Sequence, residues 1–150
     1  MIWLFIIGCN PTSSSTLPQQ AEVTFRTTVG IPIESRVHLL TKKDRYKHDD
    51  SIGIWIENRT DSKLLFKDQS LGLHAYQYNN QNQEWRLILK PIVAADPYAV
   101  IVTPGPRSVL PIVFLPGEWI QVAGSIRLVI TGTTERGQPF AAYKDIEIVD

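Results

Sequence analysis

Residues Ser51 to Phe66, SIGIWIENRTDSKLLF, carry two apolar runs joined by a polar segment. Side chains on a strand alternate between faces, so Ile52, Ile54 and Ile56 share one face while Gly53, Trp55 and Glu57 share the other. With a turn over Asn58 to Ser62, the stretch reads as a strand pair at the centre of the fold. Asn58-Arg59-Thr60 matches the N-glycosylation sequon, yet the expected role of Asn58 is to cap that turn.

Alternation recurs along the chain. EVTFRTTV (22–29) sets Val23, Phe25 and Val29 on one strand face, and RVHLL sets Val37 and Leu39 against Arg36 and His38, with Gly30 and Pro32 between them. The charged stretch KKDRYKHDD (42–50) reads as a solvated connection whose charges nearly cancel. LGLHAYQY (71–78) sets Leu71, Leu73 and Ala75 against His74, Tyr76 and Tyr78. NNQNQ then makes a turn, and EWRLILK brings Trp85, Leu87 and Leu89 into register. Residues 71–90 therefore read as a β-hairpin, with Trp85 as the core tryptophan.

Pro91, Pro97, Pro104 and Pro106 exclude a long helix or central strand over 91–107, leaving room for a short helical turn near Ala94. Pro111 within SVLPIVFLPGEW marks an edge strand or a bulge, and Pro116-Gly117 a turn. SIRLVITG, with Ile126, Leu128 and Ile130 inward, and FAAYKDIEIV, with Ile146 and Ile148 inward, form a closing antiparallel hairpin. About eight or nine short strands, with no helix and no repeat, predict an all-β antiparallel β-sandwich over residues 22–150. The pattern is similar to the immunoglobulin-like domains of exported bacterial proteins. The Cys, Trp, Cys signature of antibody domains is absent, so the similarity is one of fold.

The N-terminus has a different character. MIWLFIIGC is a continuous apolar run, and NPTSSSTLPQQ after it is small, polar and proline-containing. Ile6-Ile7-Gly8-Cys9 resembles the lipobox of bacterial lipoproteins, in which a small residue precedes the cysteine that is acylated after signal cleavage. The basic n-region of a signal peptide is missing from residues 1–8. The resemblance implies a signal-peptide remnant over 1–8, lipid attachment at Cys9, and a flexible tether over 9–21. It also implies a lipid-anchored location on the extracytoplasmic face of the cell membrane. The apolar run is far too short to span a bilayer itself.

Composition narrows the function classes. Fifteen basic residues balance fifteen acidic ones, so no long-range field gathers polyanions and nucleic acid is not expected as a partner. A single cysteine excludes an intrachain disulfide and a cysteine-rich metal site, and the three histidines stand at no ligand spacing. No nucleophile elbow, phosphate loop, dinucleotide fingerprint or EF-hand occurs, so no cofactor, no metal and no catalytic residue is expected. Asp49, Asp50, Asp61 and Asp68 could be drawn into a calcium or acid/base site, but their expected role is in turns and solvated loops.

The remaining chemistry is aromatic. With the isoleucines facing the core, Trp55 faces outward, and Tyr76 and Tyr78 are expected beside it as a surface for a protein or glycan partner. The expectation is thus a lipid-anchored, non-catalytic binding or assembly module of the bacterial envelope, tied to the membrane through Cys9. An alternative is a protease inhibitor presenting the 91–107 loop. IENRTDSKLLF, EWRLI and PGEW loosely resemble the bacterial intracellular proteinase-inhibitor family, whose domain is also an immunoglobulin-like sandwich. A carbohydrate-binding module or a cryptic hydrolase, in which two carboxylates meet only in space, forms the third class.

Overall fold

The computed structural model describes residues 17–90, 99–105, 109–116 and 119–150, with the backbone alone for 109–116. Residues 1–16, including Cys9 and most of the expected tether, lie outside the described residues. So do most of the 91–107 loop, the expected helical turn near Ala94 and Gly117.

The described residues form one helix, α1 (Gln19–Val29), and ten strands. These are β1 (Val37–Thr41), β2 (Arg45–Lys47), β3 (Ser51–Asn58), β4 (Leu64–Phe66) and β5 (His74–Asn79), followed by β6 (Glu84–Leu89), β7 (Val100–Val102), β8 (Val109–Pro116), β9 (Gly124–Thr134) and β10 (Pro139–Val149). The chain is mostly β and its pairings are mostly antiparallel, as the alternation predicts.

Strand β3 sits between β1 and β8 in a three-stranded antiparallel sheet. The β3–β8 register skips a residue where Pro111 faces Trp55 and Val113 faces Ile54. Pro111 therefore occupies an edge strand beside a bulge, where a missing N–H costs the ladder little.

The second sheet has seven strands and is organised by β9. One side of β9 pairs with β10 from Gly124 to Thr133. Its other side pairs with β5 over Ile126 to Val129 and with β4 at Thr133 and Thr134. Strand β6 extends the sheet from β5, and β7 extends it from β4. At the far edge β2 runs parallel to β10, so this sheet is mixed and not wholly antiparallel as expected. Strand β2 falls in the stretch read as a solvated loop. Its Arg-Tyr-Lys alternation buries only Tyr46 and is too short to stand out in a charged run.

Both sheets contribute to one core. Ile52, Ile54 and Ile56 of β3 meet Leu64, Phe66, Ile126, Leu128, Ile130, Phe140 and Ile146 of the larger sheet. Each fully buried side chain of this kind contributes about 1.5–3 kcal/mol, so core packing alone accounts for the β3 isoleucine face.

Residues 22–29, expected as a strand, are helical. Leu17, Ala21, Phe25 and Val29 recur every fourth residue, and that spacing wins over the period-two reading of Val23, Phe25 and Val29. Ala21 and Phe25 are fully buried, whereas Val23 is 56% exposed. Gly30, in the left-handed region at φ 67°, closes the helix by donating its N–H to the Arg26 carbonyl at 3.1 Å. The helix starts at Gln19, so the expected tether boundary at residue 21 falls inside it. Through Ala21 and Phe25 it packs on the face of the larger sheet that carries Tyr76, Tyr78, Trp85, Val129 and Ala141.

Candidate functional site

Helix α1 decides the fate of the predicted aromatic surface. Tyr76 and Tyr78 do point away from the inter-sheet core, but they are only 8% and 7% exposed. Phe25 stacks edge-on against Tyr76 at 5.8 Å, against Trp85 at 5.2 Å and against Tyr143 at 5.2 Å. The expected exposure of the two tyrosines is thus corrected, because α1 supplies the second layer that covers them. Trp85 belongs to the same layer and not to the inter-sheet core, and its Nε1 donates to the Ala21 carbonyl at 2.7 Å. Trp55 lies on the other sheet, so the three candidate residues are not brought together.

Beneath the helix sits a charge that the sequence reading passed over. Arg127 of β9 is fully buried. It donates to Asp145 of β10 through Nε at 2.6 Å and Nη2 at 2.7 Å, and to Glu22 of α1 through Nη1 at 3.2 Å and Nη2 at 2.5 Å. The guanidinium also lies over the rings of Tyr143 at 3.9 Å, Phe25 at 4.4 Å and Trp85 at 4.7 Å. The planar fork of arginine can serve two carboxylates and stack on rings at once, which lysine cannot. Burial works against its charge, but the bonds to Asp145 and Glu22 outweigh burial and raise its pKa. Burial likewise pushes the Glu22 carboxyl up, and the hydrogen bonds and charge of Arg127 more than reverse this, leaving it below the ordinary value. The Tyr143 hydroxyl donates to Glu22 at 3.1 Å and completes the cluster.

The outer face of the three-stranded sheet is built differently. Trp55 stands directly across from Leu40 of β1, and Glu57 from His38. Trp55 is half-buried and Leu40 is 37% exposed. The Glu57 carboxylate takes Arg59 Nη2 at 2.9 Å and lies 3.6 Å from His38 Nδ1, while His38 Nε2 lies 3.1 Å from the Ser35 carbonyl. An aromatic ring, an aliphatic neighbour and an oriented Arg–Glu pair therefore share one face.

Where β3 ends, Asn58 is fully buried. Its amide donates to the carbonyls of Ser62 at 2.9 Å and Val102 at 3.1 Å, and its Oδ1 accepts from the Thr60 N–H at 3.0 Å and hydroxyl at 2.7 Å. This is the turn cap expected of it, and it reaches across to β7. A side chain so enclosed has no room for a glycan in the folded protein.

Two of the four aspartates near the central strands, Asp50 and Asp68, serve turns. Asp50 accepts from Lys43 Nζ and from the Lys47 N–H, and Asp68 accepts from the Ser70 N–H at 2.8 Å. Among the described residues no three His, Cys, Asp or Glu side chains converge to hold a metal ion. His74 is buried with Nδ1 2.7 Å from the Gly72 carbonyl, and burial pushes its pKa below the ordinary histidine value.

Two residues escaped the sequence reading. Trp119 is 43% exposed and so is more open than either tyrosine, but it follows an apolar run that reads as strand. Arg127 sits in SIRLVITG, at a position that alternation assigns to the outer face and therefore to solvent. Its partner Glu22 comes to lie over it only once 19–29 is taken as a helix packed on this face of the sheet.

No family model matches the chain, and no curated protein matches it. Among solved structures, the sulfur carrier protein SoxY from Chlorobium limicola f thiosulfatophilum is 10% identical with a TM-score of 0.44, covering 87% of this chain and 97% of that one. A superoxide reductase (neelaredoxin) from Ignicoccus hospitalis is 11% identical with a TM-score of 0.41, covering 88% and 93%. At these values a shared activity does not follow.

Proposed function

We propose that the chain is a lipid-anchored, extracytoplasmic, non-catalytic binding or assembly module built on an immunoglobulin-like β-sandwich. The reading of its location rests on Ile6-Ile7-Gly8-Cys9 and the polar segment after it. The two sheets with a shared core support the sandwich. The single observation that carries the binding role is the outer face of the three-stranded sheet, where Trp55 and Leu40 pair beside Glu57 and Arg59. Trp and Arg are among the residues enriched in protein-interface hot spots, and here they share one face. A protein partner is therefore the occupant this face suits.

Two separate experiments bear on this. Mass spectrometry of the mature protein from a bacterial host is expected to find Cys9 acylated. An unmodified cytoplasmic product retaining Met1 would refute the anchor. Crosslinking in the native envelope through a photoreactive residue at position 40 is expected to trap a protein partner, and Trp55→Ala is expected to weaken that capture about tenfold or more. Unchanged capture would refute the role of Trp55 and leave the anchor untouched.

A further inference from the structure

A groove of about 670 Å³ opens at the tip of the β5–β6 hairpin. It is bounded by the amides of Asn79, Asn80, Gln81 and Asn82, with Gln77 and Arg86 alongside, and by Tyr78 and Trp85. Most of these groups are fixed by the fold. Asn79 Oδ1 accepts from the Gln81 N–H at 2.8 Å, and Asn82 donates to Glu84 Oε2 at 3.1 Å. Gln77 is held between the Ala123 carbonyl at 2.8 Å and Arg86 Nη2 at 3.1 Å. The rings of Tyr78 and Trp85 lie 5.1 Å apart, and Trp85 is anchored to α1 through Ala21. The side-chain amides of Asn80 and Gln81 bond to no other described residue. They are exposed at the tip of the hairpin.

We infer that this groove is a binding site for a neutral, hydroxyl-rich glycan carrying acetamido groups. An amide offers two donors and an acceptor in one plane, and successive amides meet the alternating donors and acceptors of vicinal hydroxyls and acetamido groups. Glu84 and Arg86 carry one charge of each sign, so the site has no field for a polyanion or polycation. Both rings are only 7% exposed, so they form the floor of the groove and deny an apolar peptide anchor a pit to fill, and recognition rests on the amides. The pre-formed tip spares the ligand much of the ordering cost of binding. The site goes beyond the Trp55 face, which lies on the other sheet, and depends on neither that face nor the anchor.

The test is an amide chemical-shift titration of the purified full-length chain with a β-1,4-linked N-acetylglucosamine tetramer, and in parallel with the corresponding glucose tetramer. The acetamido sugar is expected to shift residues 77–86 and to bind more tightly than the glucose tetramer. Asn80→Ala with Gln81→Ala is expected to weaken binding at least tenfold with an unchanged melting temperature, because neither amide serves the fold. Gln81→Glu, which keeps the shape but removes the donors, is expected to weaken it as well. Absence of shifts at millimolar sugar, shifts confined to the Trp55 face, equal binding of both sugars, or wild-type affinity in the double variant would each overturn the assignment. None of these results bears on acylation of Cys9 or on protein capture at Trp55.

Discussion

Replacing Arg127 with Met tests how α1 is held. Methionine keeps much of the volume and removes the charge, so the four hydrogen bonds to Asp145 and Glu22 and the three ring contacts are lost together. Removing one partner of a buried ion pair costs about 3–5 kcal/mol, because the remaining charge is left without compensation. Here the orphaned carboxylates can partly rehydrate, as the Glu22 and Asp145 side chains are 37% and 44% exposed. The expected cost is therefore at the lower end, about 3 kcal/mol, or about 6–12 °C in melting temperature for a domain of this size. The decisive measurement is a double-mutant cycle with Glu22→Gln, followed by urea denaturation at neutral pH. In the parent, Glu22→Gln weakens a charged pair and is expected to cost about 1 kcal/mol. In the Arg127→Met background it removes one of two facing carboxylates and is expected to be neutral or stabilising. An equal loss in both backgrounds would show that Arg127 and Glu22 do not interact energetically, and that the helix is held by the packing of Ala21 and Phe25 and the Trp85 bond to Ala21.

Further outcomes follow from other parts of the fold. Acid is expected to weaken the α1 contact only at low pH: the depressed pKa of Glu22 means that its contribution is complete above the unfolded carboxylate value and fades as pH falls through the lower folded value, measurable as loss of amide protection in residues 19–29. His74 titrates in a higher range. Its folded pKa is below the ordinary 6.5, so unfolding takes up a proton and stability falls as pH drops below that value, a fall that His74→Gln should largely remove from urea midpoints. Asn58→Ala removes the donors it gives to the Ser62 and Val102 carbonyls and the acceptor it offers the buried Thr60 N–H, and is expected to cost about 2–3 kcal/mol in chemical denaturation. Gly132→Ala would place a Cβ 2.7 Å from the Leu65 carbonyl oxygen and is expected to cost more than about 2 kcal/mol. Gly137→Ala meets open space and pays only for its positive φ, about 1 kcal/mol.

Much of the architecture was legible because it is written in period two. The faces of β3, β9 and β10 could be read residue by residue, and Pro111 gave its edge position away through its missing N–H. The helix was hidden by its own composition. Thr24, Phe25, Thr27, Thr28 and Val29 favour strands locally, and only the fourfold spacing of Leu17, Ala21, Phe25 and Val29, followed by Gly30, argued otherwise. That one misreading carried over to the candidate site, since the outward face of β5 looks like a binding surface until a helix is laid over it. Trp55 escaped this fate because it lies on the other sheet. Arg127 could not be found by alternation at all. A charged residue on an outward position is ordinarily solvated, and its burial depends on Glu22 and Asp145, 105 and 18 residues away in the chain.

Strand β9 is held on one side by a single partner and on the other by two, with β5 and β4 engaging separate halves. Between those halves the Thr131 N–H is taken by the Leu71 carbonyl at 3.1 Å, and Gly72 lies against Thr131 so closely that a Cβ would stand 2.4 Å from its hydroxyl. A single inserted or deleted residue in β9 would therefore break three registers at once and turn its core side chains outward. The strand is the part of this chain least open to length variation, whereas a change of length at the hairpin tip or at Gly137 disturbs one turn. Sequence drift in relatives of this protein should show gaps at those tips and none between Gly124 and Thr134.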